Sequence, residues 1–197
     1  MLEREMEKIS AGEAVAATAI GHTAFGDTCH IAGLFTAECY GADRTLKWRD
    51  VFANTVVTVG KNAMLDAALA GSSYSVTGPY MSLISSTSWS AISAADTMSS
   101  HAGWLEAGGA SAPTYSGNRK TCAWSAASAG AKALSSALGF AITGTGTIKG
   151  CFILFGSGAL NTKDDTNGTL YSAGLFTGGD RSVISGDTVN VSYSTSL

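Results

Sequence analysis

Residues 138–158 read LGFAITGTGTIKGCFILFGSG, and residues 168–197 read GTLYSAGLFTGGDRSVISGDTVNVSYSTSL. Between residues 148 and 155 both sides of an extended chain carry apolar side chains, which indicates a central strand that is covered on both faces. Residues 189–193 alternate apolar and polar side chains, as is typical of a strand with one face in water. This part of the chain therefore predicts a layered β structure.

The preceding sequence adds further strands and one helix. Residues 30–40 and 46–59 are predicted strands, joined by a glycine-containing hairpin loop at 41–45. Residues 61–70 place apolar side chains at helical spacing before Gly71, which predicts a helix. The other predicted strands are 80–85, 119–125, 140–143, 147–155, 170–176 and 188–194. Because strands and helices do not alternate, the sequence predicts an all-β fold, a jelly-roll-like antiparallel β-sandwich with one short helix.

The N-terminal residues differ from this pattern. Residues 1–28 begin with the mixed-charge segment MLEREMEKIS and continue with an Ala/Thr/Gly-rich stretch that shows no stable period. The segment lacks the apolar core of a secretory signal. We therefore expect an N-terminal arm at residues 1–28, followed by the β-sandwich domain at residues 29–197.

Charge is scarce and unevenly distributed. Charged residues make up 14% of the 197 residues and the formal net charge is −3, whereas about 25% is usual. With 12 basic against 15 acidic residues there is no basic field to attract nucleic acid or an anionic membrane, and no apolar run approaches the length of a membrane span. Between residues 67 and 118 only Asp96 and Glu106 are charged. Two interpretations fit: a surface solvated by Ser, Thr and Asn, or a surface covered by other subunits.

Residues that could carry chemistry do not form a recognisable motif. The four cysteines lack the spacing of a zinc site, which favours free, partly buried thiols. The three histidines have no nucleophile elbow beside them, and His101 is interpreted as a loop residue bonded to backbone. Residues 164–168 read DDTNG and predict a tight turn rather than a calcium loop. We therefore expect no cofactor, no metal and no catalytic residue.

Aromatic residues offer a different kind of candidate. Four tryptophans are present, and they are interpreted as core or interface anchors rather than platforms for stacking sugars or bases. Trp89 and Trp104 lie in charge-poor segments that are rich in Gly and Ser. The sequence therefore predicts Trp89 and Trp104 as subunit-contact residues.

Four stretches carry a resemblance to a known family, and they are residues 46–66, 94–106, 142–154 and 168–194. Together they resemble the capsid cement (decoration) proteins of tailed bacteriophages, in particular those of short-tailed phage heads, from about residue 35 to the C-terminus. The resemblance implies a jelly-roll-like sandwich on the outside of the capsid. It also implies a symmetric oligomer, expected to be a homodimer, that is assembled in the host cytoplasm and clamps subunits of the major capsid protein.

Two other functions remain open. A tail or receptor-binding module would be a trimer that binds glycans through Trp89 or Trp104. A hydrolase of cell-wall glycans would need a pair of carboxylates in a cleft, and Asp96 with Glu106 is the pair in the middle of the chain. The sequence favours a structural virion protein over an enzyme.

Overall fold

The computed structural model describes residues 31–69 and 77–196, so the arm predicted at residues 1–28 lies outside the described residues. The elements in chain order are β1 (Ala32–Tyr40), β2 (Leu46–Val56), α1 (Thr58–Leu69), β3 (Tyr80–Ser85), β4 (Lys120–Thr121), β5 (Ala131–Ala133), β6 (Leu138–Ala141), β7 (Gly146–Phe155), β8 (Thr169–Leu175), β9 (Arg181–Val183) and β10 (Thr188–Ser196).

The strands form an antiparallel sheet that curls back on itself. The order is β4-β3-β7-β8-β2-β1-β10-β5, with β6 also on β10 and β9 also on β7. Strand β2 belongs to both halves, because residues 46–53 pair with β1 and Asn54–Val56 pair with β8. We call β1, β10, β5, β6 and the first part of β2 half A, and β3, β4, β7, β8 and β9 half B. The all-β sandwich prediction is confirmed.

Apolar side chains from both halves meet between them. In β1 every second residue is buried, and β10 shows the same alternation at residues 189–193, where the sequence predicted a strand with one wet face. In β2 the buried residues are Asp50, Phe52 and Val56. The ring of Phe35 lies 5.2 Å from that of Phe52 and 4.6 Å from that of Tyr193. Burying each of these rings contributes roughly 1.5–3 kcal/mol. The same apolar cluster includes Met81, Leu83 and Ile153 of half B, so this central core holds half A against half B.

Half B is buried on its other face as well. Strand β8 is buried at Leu170–Gly174, and β7 is buried at Gly150–Leu154. On the far face a second apolar cluster forms around Phe152, and its other members include Val57, Ile84, Met98, Trp104, Leu154 and Leu170. The prediction that residues 148–155 form a strand covered on both faces is therefore confirmed.

Several boundaries differ from the prediction. Strand β2 ends at Val56 and the helix begins at Thr58, because the Thr58 amide donates to the Ala94 carbonyl rather than to β8. The predicted strand at 119–125 is reduced to the two residues of β4, which pair with only the first two residues of β3. Strands β5 and β9 were not predicted. Each has only three residues, and such short strands carry too little alternation to be recognised.

Asp50 joins the two halves where the ladder between β2 and β8 stops. Asn54 pairs with Gly174 at the end of this ladder, and beyond the end of β8 the buried Asp50 carboxylate links β2 to residues 177–181 through its side chain. It accepts hydrogen bonds from the Thr177 hydroxyl (2.6 Å), the Gly178 amide (3.2 Å) and the Arg181 guanidinium (2.6 Å). Burial alone raises the pKa of Asp50, but these donors together outweigh burial and the pKa is lowered.

We expect Asp50→Asn to weaken the fold in a pH-dependent way. Because the folded-state pKa lies below the unfolded value of about 3.9, the carboxylate stabilises the fold above that pH and loses its effect as the pH falls further. The variant should unfold at a free energy roughly 1–3 kcal/mol lower than wild type at pH 7. Urea unfolding at pH 7 and at pH 3 measures this. An equal difference at both pH values would contradict it.

Gly150 permits close packing between β7 and β8. A Cβ at Gly150 would collide with the carbonyl oxygen of Gly174, which is backbone and cannot turn aside. We expect Gly150→Ala to lower the free energy of unfolding by about 1–3 kcal/mol. Gly139→Ala is the matched control, because its Cβ would meet only the Asn190 side-chain oxygen, at 3.3 Å. Thermal unfolding compares them, and equal midpoints would contradict the prediction.

Candidate contact surface

Residues 86–106, here called the cover segment, close the far face of half B. The segment leaves β3 and returns beside it, where the Ser85 amide donates to the Leu105 carbonyl and the Ala107 amide donates to the Leu83 carbonyl. Between these points it lays Met98 and Trp104 on the second apolar cluster. The segment is thus a third layer of the molecule, built largely without regular secondary structure.

Trp104 is the centre of this layer. Its side chain is 0% exposed, and its ring lies 5.0 Å from the ring of Phe152 in β7. The indole Nε1 donates a 2.9 Å hydrogen bond to the Asp96 carboxylate. The prediction that Trp104 is a subunit-contact residue is therefore wrong, because the fold uses this ring to cover half B.

Asp96 and His101 hold the cover segment around Trp104. The Asp96 carboxylate also accepts from the Ser93 amide at 2.9 Å. The His101 ring packs on Trp104 with centroids 4.2 Å apart, and its Nδ1 lies 3.0 Å from the Thr97 carbonyl oxygen. His101 is therefore bonded to backbone within its own loop, as predicted.

Glu106 and Arg119 form a buried ion pair at the margin of the second cluster. The Arg119 Nη2 lies 2.6 Å from Glu106 Oε2, and both side chains are at most 3% exposed. Arg119 also donates to the Leu160 and Asp165 carbonyls, and Glu106 accepts from the Asp164 amide. Such a network compensates for removing both charges from water. It also ties the end of the cover segment to the loop at residues 160–165.

Residues 77–118 themselves consequently contribute no exposed formal charge, and the charges at the margin of their surface come from other segments, namely Lys149 beside the Trp89 ring and Asp164, whose carboxylate accepts from the Ala110 amide. Of the described residues from 77 to 118, only Asp96 and Glu106 are charged, and they are 9% and 4% exposed. The exposed positions are Ser, Thr, Ala, Gly, Asn and Leu105. Charge depletion is a compositional mark of protein interfaces. The sequence shows that charge is sparse in this region, but it does not show that both carboxylates are buried.

Trp89 lies at a groove between the cover segment and the sheet. The groove has a volume of about 390 Å³, and it is lined by Ala53, Thr55, Trp89, Ser90, Ala91, Ile92, Ala173, Gly174 and Leu175. The Trp89 ring is half-buried, and the Lys149 ammonium lies 5.0 Å from its centre. Trp89 thus stays a candidate contact residue, placed where β2 meets the cover segment.

The remaining candidates fit structural roles. Burial raises the pKa of the Cys39 and Cys122 thiols to about 12, and both are free, as is the buried Cys151. Cys29 lies outside the described residues. Residues 163 and 164 form a turn and φ is positive at Asp164 and Gly168, but residues 165–167 have no regular structure, so the tight turn predicted at 164–168 is part of a longer loop. The described residues contain no group of His, Cys, Asp and Glu suited to a metal ion, and no helix among them is long and apolar enough to span a membrane.

Comparison with protein-family models, with curated proteins and with solved structures gives no match to this chain. Residues 77–118, which contribute no exposed charge and are held by the Trp104–Asp96 bond and the Glu106–Arg119 pair, have the composition of a protein-binding surface.

We expect Arg119→Met to destabilise the fold strongly, because the buried Glu106 carboxylate would lose its charged partner. A loss of about 3–5 kcal/mol is usual when one member of a buried pair is removed. Arg44→Met, on the exposed hairpin loop, is the control and should change stability by less than about 0.5 kcal/mol. Urea unfolding measures both. Restoration of stability in Glu106→Gln/Arg119→Met would support the cause, whereas a near-neutral Arg119→Met would contradict it.

Proposed function

We propose that this chain is a structural virion protein, which binds the outside of a phage head and stabilises the capsid by bridging subunits of the major capsid protein. The observation that supports this most directly is the uncharged surface of residues 77–118, whose two carboxylates are both turned inward. The family resemblance includes residues 94–106, which belong to the same surface. The proposed role requires adhesion and no chemical step.

The composition of this surface is suited to adhesion. Burying an exposed carboxylate or ammonium against a partner costs several kcal/mol unless a counter-charge meets it. Burying Ser, Thr and Ala side chains costs much less, because their hydroxyls and backbone groups can exchange water for partner groups. The cover segment is anchored on Trp104 and on the Glu106–Arg119 pair, so little conformational entropy remains to be lost on binding.

Stabilisation would follow from mass action. A protein that binds only the mature shell lowers its free energy by RT ln(1 + [L]/Kd) at each site, and the effect is repeated over many copies. A molecule that contacts two neighbouring capsid subunits gains further from effective concentration. The described fold suits a protein that holds neighbouring capsid subunits together, because three packed layers resist deformation.

A tail or receptor-binding module is the alternative. In that case aromatic rings would stack on glycans, but Trp104 is buried and Trp89 has the Lys149 ammonium near its ring. The two functions differ in where the chain is located in the virion. Labelling of this chain in intact particles, imaged by electron microscopy, separates a position on the shell from a position on the tail.

We expect a charge on the uncharged surface to weaken binding to the shell. The test uses phage particles produced without this chain, to which purified chain is added back. Ala102→Glu, at an exposed position of the cover segment, should reduce co-sedimentation with these particles at least tenfold, because the new carboxylate must be desolvated. Ala42→Glu, in the charged hairpin loop, is the matched control and should bind like wild type.

The same particles test the consequence of binding. Heating should release DNA at a lower temperature from particles that lack the chain, and wild-type or Ala42→Glu protein should restore the higher temperature. Circular dichroism establishes that both variants are folded. Particles that resist heat and osmotic shock equally with and without the chain would contradict the proposed function, and so would location at the tail tip.

A further inference from the structure

A cavity of about 300 Å³ lies where the cover segment and the residues after it meet the loop at residues 160–165. We call it the acidic recess. The Glu106–Arg119 ion pair borders it, and the other side chains that give it its character are Met98, His101, Leu105, Ser111, Asp164 and Asp165. The recess is therefore part of the surface that is proposed to bind the shell, and carboxylates from another segment reach that surface here.

The acidic recess has an excess of negative charge. Three carboxylates and one guanidinium line it, which together give a formal charge of −2 when His101 is neutral. Arg119 already donates from each of its guanidinium nitrogens, to the Glu106 carboxylate and to two loop carbonyls. This cation is thus committed to the fold, and the recess offers a net negative charge to any group that enters it.

Asp164 is the exposed carboxylate of the recess, and the fold fixes its position. Its amide donates to Glu106 Oε2 at 2.8 Å, and its Oδ2 accepts from the Ala110 amide at 2.7 Å. Gly109 permits this approach, because a Cβ there would collide with Oδ2. The other carboxylate oxygen, Oδ1, accepts no hydrogen bond within the described chain, so it is available to a guest.

Ser111 and His101 add two further groups with spare hydrogen-bonding capacity. Ser111 is 9% exposed, and its hydroxyl makes no hydrogen bond to another described residue, although buried polar groups normally have a partner. Nδ1 of His101 lies 3.0 Å from the Thr97 carbonyl oxygen, which can only accept, so the neutral ring carries its proton on Nδ1 and Nε2 is an acceptor. The recess therefore offers a carboxylate oxygen, a ring nitrogen and a hydroxyl to a guest that donates hydrogen bonds.

We infer that the acidic recess binds an arginine side chain of the capsid protein, an inference that rests on the proposed function. The guanidinium carries a positive charge and five N–H donors in one plane, so it can serve several separate acceptors at once. The lysine ammonium is a compact and strongly hydrated charge, which suits such a site less well. Met98 and Leu105 supply an apolar wall for the aliphatic part of the arginine, and Leu105 is 40% exposed.

The proposed contact with the shell itself requires a counter-charge at this point. If the shell covers residues 77–118, it also takes the neighbouring Asp164 carboxylate out of water, which is costly unless a cation meets it. An arginine of the shell would supply that cation. It would also fix the register of the two surfaces, because a misaligned contact would leave the carboxylate unpaired. The acidic recess thereby adds specificity to a surface whose own residues contribute no exposed charge.

Titration of the purified full-length chain tests the acidic recess directly. The probe is N-acetylarginine amide, and nuclear magnetic resonance follows the backbone amides of residues 109–111 and 164, where we expect saturable shifts. N-acetylcitrulline amide has nearly the same shape without the charge and should bind at least about tenfold more weakly. Asp164→Asn should weaken binding of the arginine probe about tenfold. Asp66→Asn, which removes a carboxylate from an exposed position of α1, is the matched control and should bind like wild type.

Gly109→Ala separates a specific contact from general electrostatic attraction. The variant keeps every charge of the chain, but its Cβ displaces the Asp164 carboxylate. Binding of the arginine probe should therefore fall at least about threefold, because a charge-assisted hydrogen bond depends on geometry. Circular dichroism verifies that all three variants are folded. Unchanged binding in Asp164→Asn or in Gly109→Ala would overturn the inference, and so would equal binding of the citrulline probe.

The same variants distinguish this inference from the proposed function. On particles produced without the chain, co-sedimentation should fall at least about tenfold for Asp164→Asn and at least about threefold for Gly109→Ala, but not for Asp66→Asn. If the first two bind particles like wild type while Ala102→Glu does not, the inference fails and the proposed function stands. If wild type binds the arginine probe but not the particles, the proposed function fails, and the assignment of the arginine to the capsid protein fails with it.

Discussion

Strands β7 and β8 carry apolar side chains on both faces, and the packing of the described chain depends on keeping water from both. The central core between the two halves shields one face. The other face would be left to solvent in a simple two-layer sandwich, and roughly 25 cal/mol of stabilisation would be lost for each Å² of apolar surface that it exposed. The long segment between β3 and β4 is therefore a structural layer, with Trp104 against Phe152 as its main contact.

Because the cover segment closes this layer without strands, its backbone polar groups need hydrogen-bond partners other than a neighbouring strand. Irregular backbone at a buried edge needs partners for its amides and carbonyls. The Glu106–Arg119 pair supplies several of them at once, since the guanidinium donates to two loop carbonyls and the carboxylate accepts from a loop amide. In addition, the guanidinium lies 5.8 Å from the centre of the Phe152 ring. The ion pair thus links the apolar cluster to the loops that surround it.

These two requirements also shape the surfaces that the molecule offers. Turning both carboxylates of residues 77–118 inward leaves these residues without an exposed charge of their own, a composition on which the proposed binding to a capsid depends. Using the cover segment on half B leaves the outer face of half A bare, with one ion pair among Ser, Thr, Asn and apolar side chains.

The sequence alone determined the all-β class, the helix after β2 and the strand covered on both faces, because strand period, helical spacing and apolar runs are local properties of the chain. It could not place Trp104, since a tryptophan in a polar, glycine-rich stretch looks alike whether it faces solvent or packs on a strand 48 residues away. Nor could it pair Glu106 with Arg119, because the sequence shows how few charges are present but not which of them lie close together in the fold. The curl at β2, which decides which sheet face is covered and which is bare, depends on contacts between strands far apart in the chain, and only the tertiary structure decided those.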